Sequence, residues 1–435
     1  MNNSGSKLPL RVAIAGLGTV GCGTFELLDA NHSLIERRSG RAIEVTAVSS
    51  RSRNKDRGLD LSAVAWFDDA VEMAKTAEAD VIVELIGGSE GIALEVVREA
   101  LLSGKDVVTA NKALIAHHGT ELAELANEQG RSLLFEPAVA GGIPAIKMVR
   151  EGLAANSFDR IYGILNGTCN YILTTMRETG RDFDGVLKDA QDLGYAEADP
   201  TFDVDGIDAA HKLAILASLA FGTEINFDAV DVSGIRSVSA LDIELAEEFG
   251  HRVKLIGMAR RVGNGVEQFV KPCLVPVNSP IGGVEGVFNA VAADGDFVGQ
   301  LMVEGRGAGG GPTASATVAD LIDIARGQKL PVLGMNTDRL HGSQEIDTSE
   351  RTAALYIRLS VKEEVGVMAA ISSVMAEEEI SLESFVQHNS EEGEPVSLVL
   401  FTHEAAEEAL NKALERINAL PVVLEPAQTL RIEAL

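Results

Sequence analysis

Cysteine is scarce in this chain of 435 residues: Cys22, Cys169 and Cys273 are the three it has. Thiols so few and so scattered exclude a disulfide scaffold and a thiolate zinc site, and they suit a reducing compartment. Positive charge is also short. Lysine and arginine number 37 against 65 aspartates and glutamates, a formal balance of −28, which argues against any broad surface for nucleic acid or an anionic membrane. Long apolar runs are missing as well. No stretch reaches the roughly 18 residues that a membrane span requires, and the opening Met-Asn-Asn-Ser-Gly-Ser-Lys holds no apolar signal core. The expectation is a cytoplasmic enzyme with neither nucleic acid nor membrane among its partners.

What is present points to several folded regions. With 46% hydrophobic and 23% charged residues the composition is that of an ordered chain, and its length suggests about three domains at ~150 residues each. Arg11–Ala15 is a short apolar run that stops at the glycine cluster 16–21; a helical spacing of Phe25, Leu27, Leu28 and Leu34 follows, then a strand at Glu44–Val48. Asp80–Leu85, Asp106–Ala110 and Ser132–Glu136 read as further strands, with helices at Ile92–Ser103 and Thr120–Gln129 between them. Such alternation predicts an α/β domain with a parallel, Rossmann-like sheet covered on both faces. After Pro144 an α+β substrate or dimerisation domain is expected over 145–304, with a helix at Asp208–Leu219 and strands near Phe158–Leu165, Gly265–Val277 and Gly299–Glu304. A glycine-dense run at 305–313 opens the helical stretch Ala314–Arg326, so 305–330 is expected to return to the first domain, 1–144, before a linker at 331–350. The tail, 351–435, reads as strand (Ala353–Val361), helix (Gly366–Glu377), two strands (Ile380–His388, Pro395–Phe401), helix (Glu404–Ile417) and strand (Pro421–Leu430), a ferredoxin-like βαββαβ order.

Gly16-Leu17-Gly18-Thr19-Val20-Gly21 follows a strand and opens a helix, the context of a dinucleotide fingerprint: the backbone turns tightly and the helix N-terminus faces the pyrophosphate. At the end of the next strand, Ser49-Ser50-Arg51-Ser52-Arg53-Asn54-Lys55 offers no carboxylate to a ribose 2′-hydroxyl. Arg51 or Arg53 would pair instead with a 2′-phosphate, favouring NADP(H) with NAD(H) as the alternative. In the block 194–212, Asp208 and Lys212 are four apart at a helix start and share one face. Their pattern alone fits an active site and a helix-start charge cluster equally. Lys112 stands just past a parallel strand's C-terminal end, where open sheets bind ligands. The turn-rich 136–144 segment reads as an interdomain loop whose carbonyls could meet a cation.

Together these segments resemble homoserine dehydrogenase. The resemblance is carried by Gly-Leu-Gly-Thr-Val-Gly at 16–21, Thr-Ala-Asn-Lys-Ala at 109–113, Glu-Pro-Ala-Val-Ala-Gly-Gly-Ile-Pro at 136–144, Asn-Gly-Thr-Cys-Asn-Tyr-Ile-Leu at 166–173 and the 194–212 block. It implies interconversion of L-homoserine and L-aspartate 4-semialdehyde with NAD(P), on the way to threonine, methionine and isoleucine. By position, Lys212 and Lys112 are the implied catalytic lysines, Lys112 also touching cofactor. Asp208, Glu197 and Asp203 are implied to orient Lys212, order water and hold the substrate amino group, and Thr168 to face substrate. Gly194 and Gly309 would lie along the cofactor with residues 16–21, and Glu136 with the carbonyls of Val139, Gly141 and Ile143 would form a sodium site.

Residues 351–435 resemble an ACT domain, whose first loop commonly reads Asp-x-Pro-Gly-Val. Here it reads Glu363-Glu364-Val365-Gly366-Val367, which keeps the glycine and loses the Asp and Pro. Threonine feedback and a purely dimerising role both remain open for it, and a homodimer or homotetramer is expected. Two rival readings are another semialdehyde oxidoreductase working through a Cys169 thioester, and a non-catalytic amino-acid or dinucleotide sensor.

Overall fold

A computed structural model describes residues 8–342, 346, 351–388 and 395–435. The chain forms two compact units, one drawn from 1–167, 208–230 and 287–343, the other from 168–207, 231–286 and 344–435. The opening heptapeptide, and residues 343–345 and 347–350 of the expected linker, lie outside the described residues.

In the first unit six strands form one sheet: β1 (Leu10–Ala15), β2 (Ile43–Ser49), β3 (Ala65–Phe67), β4 (Val81–Glu84), β5 (Asp106–Thr109) and β6 (Leu133–Leu134). Their order is β3-β2-β1-β4-β5-β6 and every pairing is parallel, the doubly wound order in which ligands bind beyond the strands' C-terminal ends. Val81, Ile82 and Val83 are wholly buried, as are Val107 and Val108, which is why these strands read as continuous apolar runs rather than alternations. Leu10, Val12, Ile14, Val48, Val81, Val83 and Val108 share a core with Val318, Leu321 and Ile324 of helix Gly310–Arg326. Helix Thr19–Ala30 meets that late helix closely, since a Cβ on Gly23 would lie 3.0 Å from the Gly310 carbonyl.

Three sequence expectations shift here. Helix Lys112–Glu128 starts eight residues before the expected Thr120. Gly119, just before that expected start, sits mid-helix, where a Cβ would strike Ile225 at 2.6 Å. Strand β3 and helix Ala70–Thr76 come between the expected strands Glu44–Val48 and Asp80–Leu85, where no element was expected, and Asp69 starts that helix by accepting from Val71 and Glu72 N–H. Strand β6 is two residues long and passes into a 3₁₀ turn, Glu136–Ala138. The same unit holds the antiparallel strands Phe158–Ile164, Phe288–Gly295 and Gly299–Arg306 and helix Ile207–Phe221. That helix is buried almost all round, the mark of a core helix.

The second unit carries a long hairpin, His251–Val262 with Gly265–Pro276, and the C-terminal module. The module's strands run in the order 428–432, 352–361, 396–402, 382–388 with antiparallel neighbours, and helices Val367–Glu377 and Glu407–Asn418 complete the ferredoxin-like layout. Its last strand is Gln428–Ile432 rather than Pro421–Leu430, because Pro421 and Pro426 interrupt the earlier stretch. On its other edge that strand pairs in parallel with the hairpin, Cys273 opposite Arg431 and Leu274 opposite Ile432.

Two buried charges fasten the module. Arg431 donates to Glu433 (2.7 Å), Glu407 (2.6 Å) and the Thr352 carbonyl (2.8 Å), with its guanidinium 4.6 Å from the Phe269 ring centre. Asp242 caps helix Ala240–Glu248 with Ser239 and also accepts from Arg358 Nε (2.6 Å) and the Tyr356 hydroxyl (3.0 Å). Burial pushes the Asp242 pKa up, but the Arg358 and Ser239 hydrogen bonds and the Arg358 charge outweigh it and hold it below the ordinary value. Its contribution is therefore full above the unfolded aspartate pKa, about 3.9, and is lost as pH falls through the lowered folded value. Asp242→Ala should cost about 3–5 kcal/mol, because it strands Arg358 and uncaps a helix. Urea unfolding followed from pH 7 down to pH 3 checks this; an unchanged midpoint at pH 7 would remove Asp242 as the anchor.

Candidate active site

The glycine turn is dictated by space. Gly16 has φ +105° and a Cβ there would lie 2.5 Å from the Leu85 carbonyl, while one on Gly21 would lie 2.0 Å from the Gly16 carbonyl. Gly18 is different: its Cβ position is open and it starts helix Thr19–Ala30 with no side-chain cap. The first-turn N–H groups of that helix therefore look into room of the kind a pyrophosphate fills. Gly309, φ +120°, starts helix Gly310–Arg326 in the same way, and Gly310 packs against Thr19. Leu17 is buried behind the turn, and Val20 accepts the Thr24 hydroxyl from one turn on. These residues fit a bound dinucleotide.

Arg51, singled out from sequence, is exposed past β2. Arg57, which sequence reasoning passed over, ties this region together. It donates to the Leu17 carbonyl (3.2 Å), Ser50 Oγ (3.1 Å), the Ser52 carbonyl (2.8 Å) and the Lys55 carbonyl (2.8 Å), and it lies 5.7 Å from the Trp66 ring centre. Arg53 approaches the same ring at 5.9 Å. Four hydrogen bonds from one side chain to a loop leave no periodic trace in sequence.

The two lysines meet on one carboxylate. Lys112 Nζ lies 2.9 Å from Asp208 Oδ1, and Lys212 Nζ lies 2.6 Å from Asp208 Oδ2. Lys212 also donates to the Leu165 carbonyl (2.7 Å), and Asn166 Nδ2 donates to Asp208 Oδ2 (2.8 Å). Asp208 is 4% and Lys212 7% exposed, whereas the Lys112 side chain keeps 33% of its surface. Burial opposes ionisation of Asp208, but the charges of Lys212 and Lys112 outweigh it and hold the pKa far below the carboxylate range.

Lys112 owes its place to a buried relay. Glu84 ends β4 and accepts from the N–H groups of Ile86 (2.7 Å) and Gly87 (3.1 Å) and from the Thr109 hydroxyl (2.6 Å). Thr109 Oγ accepts from Asn111 N–H (3.0 Å), and Asn111 caps the lysine's helix through Leu114 N–H (3.1 Å) while its amide donates to the Gly88 carbonyl (2.7 Å). Burial raises the Glu84 pKa against those hydrogen bonds. The only sequence signal for this was a carboxylate at the end of a buried strand.

The expected substrate-facing residues and Gly194 belong to the second unit. Thr168 Oγ1 donates to the Tyr195 carbonyl (2.8 Å), Gly194 turns with φ +75°, and Gln191 donates to the Glu197 carbonyl (3.0 Å), leaving the Glu197 side chain exposed. Asp203 lies in the short helix Thr201–Val204, and its carbonyl accepts the buried Cys169 thiol (3.2 Å). Thr168, Gly194, Glu197 and Asp203 thus share one folded segment. A buried thiol donating to a backbone carbonyl is poorly set for thioester chemistry.

The Glu136 carboxylate accepts from Ile146 (3.1 Å) and Lys147 (2.8 Å) N–H, and burial with Asp320 nearby pushes its pKa up to about 8. Ile143's carbonyl accepts Ala145 N–H (2.7 Å), whereas no described donor reaches those of Val139 and Gly141. Among the described residues no group of three or more His, Cys, Asp or Glu could hold a metal.

A doubly wound parallel sheet, a glycine turn at a helix N-terminus and a buried carboxylate shared by two lysines define an oxidoreductase using a nicotinamide dinucleotide. Residues 16–136 match the NAD binding domain of homoserine dehydrogenase, 144–322 match homoserine dehydrogenase and 355–422 match the ACT domain. The chain is 45% identical to homoserine dehydrogenase of Pseudomonas aeruginosa, covering 98% of this chain and 99% of that one, and 43% identical to that of Neisseria gonorrhoeae with the same coverage. A crystal structure of a homoserine dehydrogenase from Thiobacillus denitrificans superposes with TM-score 0.93 at 43% identity over 99% of both chains. A hyperthermophilic archaeal homoserine dehydrogenase in complex with NADPH covers 74% of this chain and 99% of its own, with TM-score 0.63 and 29% identity. The chain belongs to the homoserine dehydrogenase family and carries a C-terminal ACT domain. Its activity is the interconversion of L-homoserine and L-aspartate 4-semialdehyde, which serves amino-acid biosynthesis. Among the described residues no helix is long and apolar enough to cross a membrane.

Glu84→Gln tests the relay. Whichever way the amide turns, it sets N–H against N–H or leaves the Thr109 hydroxyl without its acceptor, so stability should fall by about 1–3 kcal/mol. Urea unfolding reads this directly, and an unchanged midpoint would show that the relay positions nothing.

Proposed function

We propose that Lys212 is the acid–base group of the reaction, with Asp208 and Lys112 as its electrostatic frame. The observation that carries this reading is the single buried carboxylate bridging two ammonium groups. A bound nicotinamide dinucleotide supplies the hydride acceptor or donor. In reduction of the semialdehyde, negative charge grows on the carbonyl oxygen, and the Lys212 ammonium stabilises and then protonates it. In homoserine oxidation neutral Lys212 takes the hydroxyl proton. Lys112 remains on Asp208 while Lys212 changes charge, so the trio passes between net +1 and zero and the buried carboxylate keeps a cation throughout. Glu197 and Asp203 would hold the substrate ammonium and order water, and Thr168 would face the substrate, with Gly194 and Gly309 along the cofactor.

The finer assignments extend the same reading. NADP(H) is favoured over NAD(H) by Arg51 or Arg53, which follow β2 in the stretch 49–55 that offers no carboxylate, and the NADPH complex of the archaeal relative supports it. A sodium ion would be held by Glu136 with the carbonyls of Val139, Gly141 and Ile143, those of Val139 and Gly141 being free of described donors. Regions 1–144 with 305–330, 145–304 and 351–435 would act as nucleotide-binding, substrate and regulatory parts of a cytoplasmic homodimer or homotetramer. The ACT domain would bind threonine, or serve dimerisation alone.

Lys212→Ala should lower kcat about 10²–10⁴-fold with little change in KM for NADP, and near wild-type turnover would overturn the assignment. Glu197→Gln should instead raise KM for homoserine at similar kcat, because a carboxylate–ammonium contact is made in ground and transition states alike. Steady-state rates read at 340 nm measure both, and an unaltered KM would release Glu197 from the substrate.

A further inference from the structure

One buried titratable group beside the lysines has no part in that chemistry. His211 follows Asp208 by three residues, precedes Lys212 and is 4% exposed. Its Nε2 faces Nε2 of His117 at 3.2 Å, with ring centres 5.2 Å apart and nearly edge-on. Phe227 stacks on the His211 ring at 4.4 Å and tilts against His117 at 4.8 Å. Two like nitrogens bond only when one carries a proton and the other does not. Burial first, then His117, Lys112 and Lys212, lower the His211 pKa to about 4 against the pull of Asp208, so its ring stays neutral across the working pH range.

His117 and Lys112 lie on one helix and His211 and Lys212 on the other. The Lys112–Asp208 ion pair joins these helices at one point, and a single contact leaves them able to pivot. The histidine contact falls five residues along the first helix and three along the second, about 7.5 and 4.5 Å from the ion pair at 1.5 Å per residue. The segment after the second helix seals this junction: Ile225 N–H donates to Thr120 Oγ1 (3.2 Å), and its side chain fills the space that Gly119 leaves. Two separated contacts fix the relative rotation of the helices and hence the separation of the two lysine ammonium groups across Asp208. We propose that the His211–His117 pair is a positioning device for the reaction, holding the helix of Lys112 against the helix of Asp208 and Lys212. The inference rests on the acid–base role assigned to that trio.

His211→Phe keeps a ring to stack on Phe227 and removes the imidazole hydrogen bond. Turnover of homoserine should fall about 5–30-fold with KM for NADP unchanged. The deuterium isotope effect on kcat, measured with homoserine deuterated at the carbinol carbon, should rise as the misaligned chemical step becomes slower than product release. A smaller fraction of active enzyme would lower kcat without raising the isotope effect. His211→Gln, whose amide reaches toward His117, should recover at least half of the lost rate. Exposed His117 permits the same reading should His211→Phe fail to fold: His117→Phe should lower kcat and raise the isotope effect in the same way, and in a folded double variant the two losses should not multiply. A kcat within twofold of wild type, an unchanged isotope effect, or multiplying losses would overturn the proposal. Loss of activity in Lys212→Ala with a silent His211→Phe would reject this device alone, whereas an active Lys212→Ala would remove the reading beneath it.

Discussion

The shared carboxylate of Asp208 is the constraint around which the first unit is arranged. Taking one carboxylate and an ammonium almost out of water costs several kcal/mol per ion unless every charge is answered. Here each is: Asp208 receives Lys112, Lys212 and Asn166, and Lys212 has the Leu165 carbonyl besides its anion. The asymmetry of exposure matters as much as the pairing. Lys212 is enclosed, while Lys112 keeps about a third of its side-chain surface in contact with solvent. A symmetric, equally buried pair would not distinguish the two lysines, whereas this one does.

Holding such a cluster requires rigid supports, and the parallel sheet supplies them where its central strands end. The turn after β1 presses so closely on the segment after β4 that Gly16 must be glycine, and Glu84 at the end of β4 grips both the following loop and the residue that ends β5. Cofactor turn, loop and lysine-bearing helix are thereby linked through backbone N–H groups and one hydroxyl. Because these are short, buried bonds to main-chain atoms, the geometry does not depend on flexible side chains at the surface.

Features set by local spacing were legible in the sequence. The glycine fingerprint occupies six consecutive residues, Asp208 and Lys212 are four apart on a helix, and residues 81–83 and 107–108 of the central strands are apolar runs. Features set by tertiary contact were not. Nothing local shows that Lys112 meets a carboxylate 96 residues away, that Glu84 reaches Thr109, or that Arg57 rather than Arg51 grips the cofactor turn. The glycine at 119 likewise serves a neighbour, since Ile225 fills the space a side chain there would take. The role proposed for Lys112 comes from the resemblance; its position alone places it only at the ligand-binding edge of a parallel sheet.

The ACT domain is held in its unit by continuity of the backbone and by buried ions together. Main-chain pairing of Leu274 with Ile432 fixes only the strand register; it does not select which helix lies against the module's first strand. Arg358 and Tyr356 on that strand converge on Asp242, and the same carboxylate caps its own helix, so a shift of one strand residue would turn both side chains to the opposite face. Buried ion pairs add little net stability over apolar packing, and their worth here lies in that selectivity. A module joined by apolar contact alone could slide without a large penalty. One whose strand is tied to a helix cap is held in register against helix Ala240–Glu248 by the hydrogen bonds of two side chains to a single buried carboxylate.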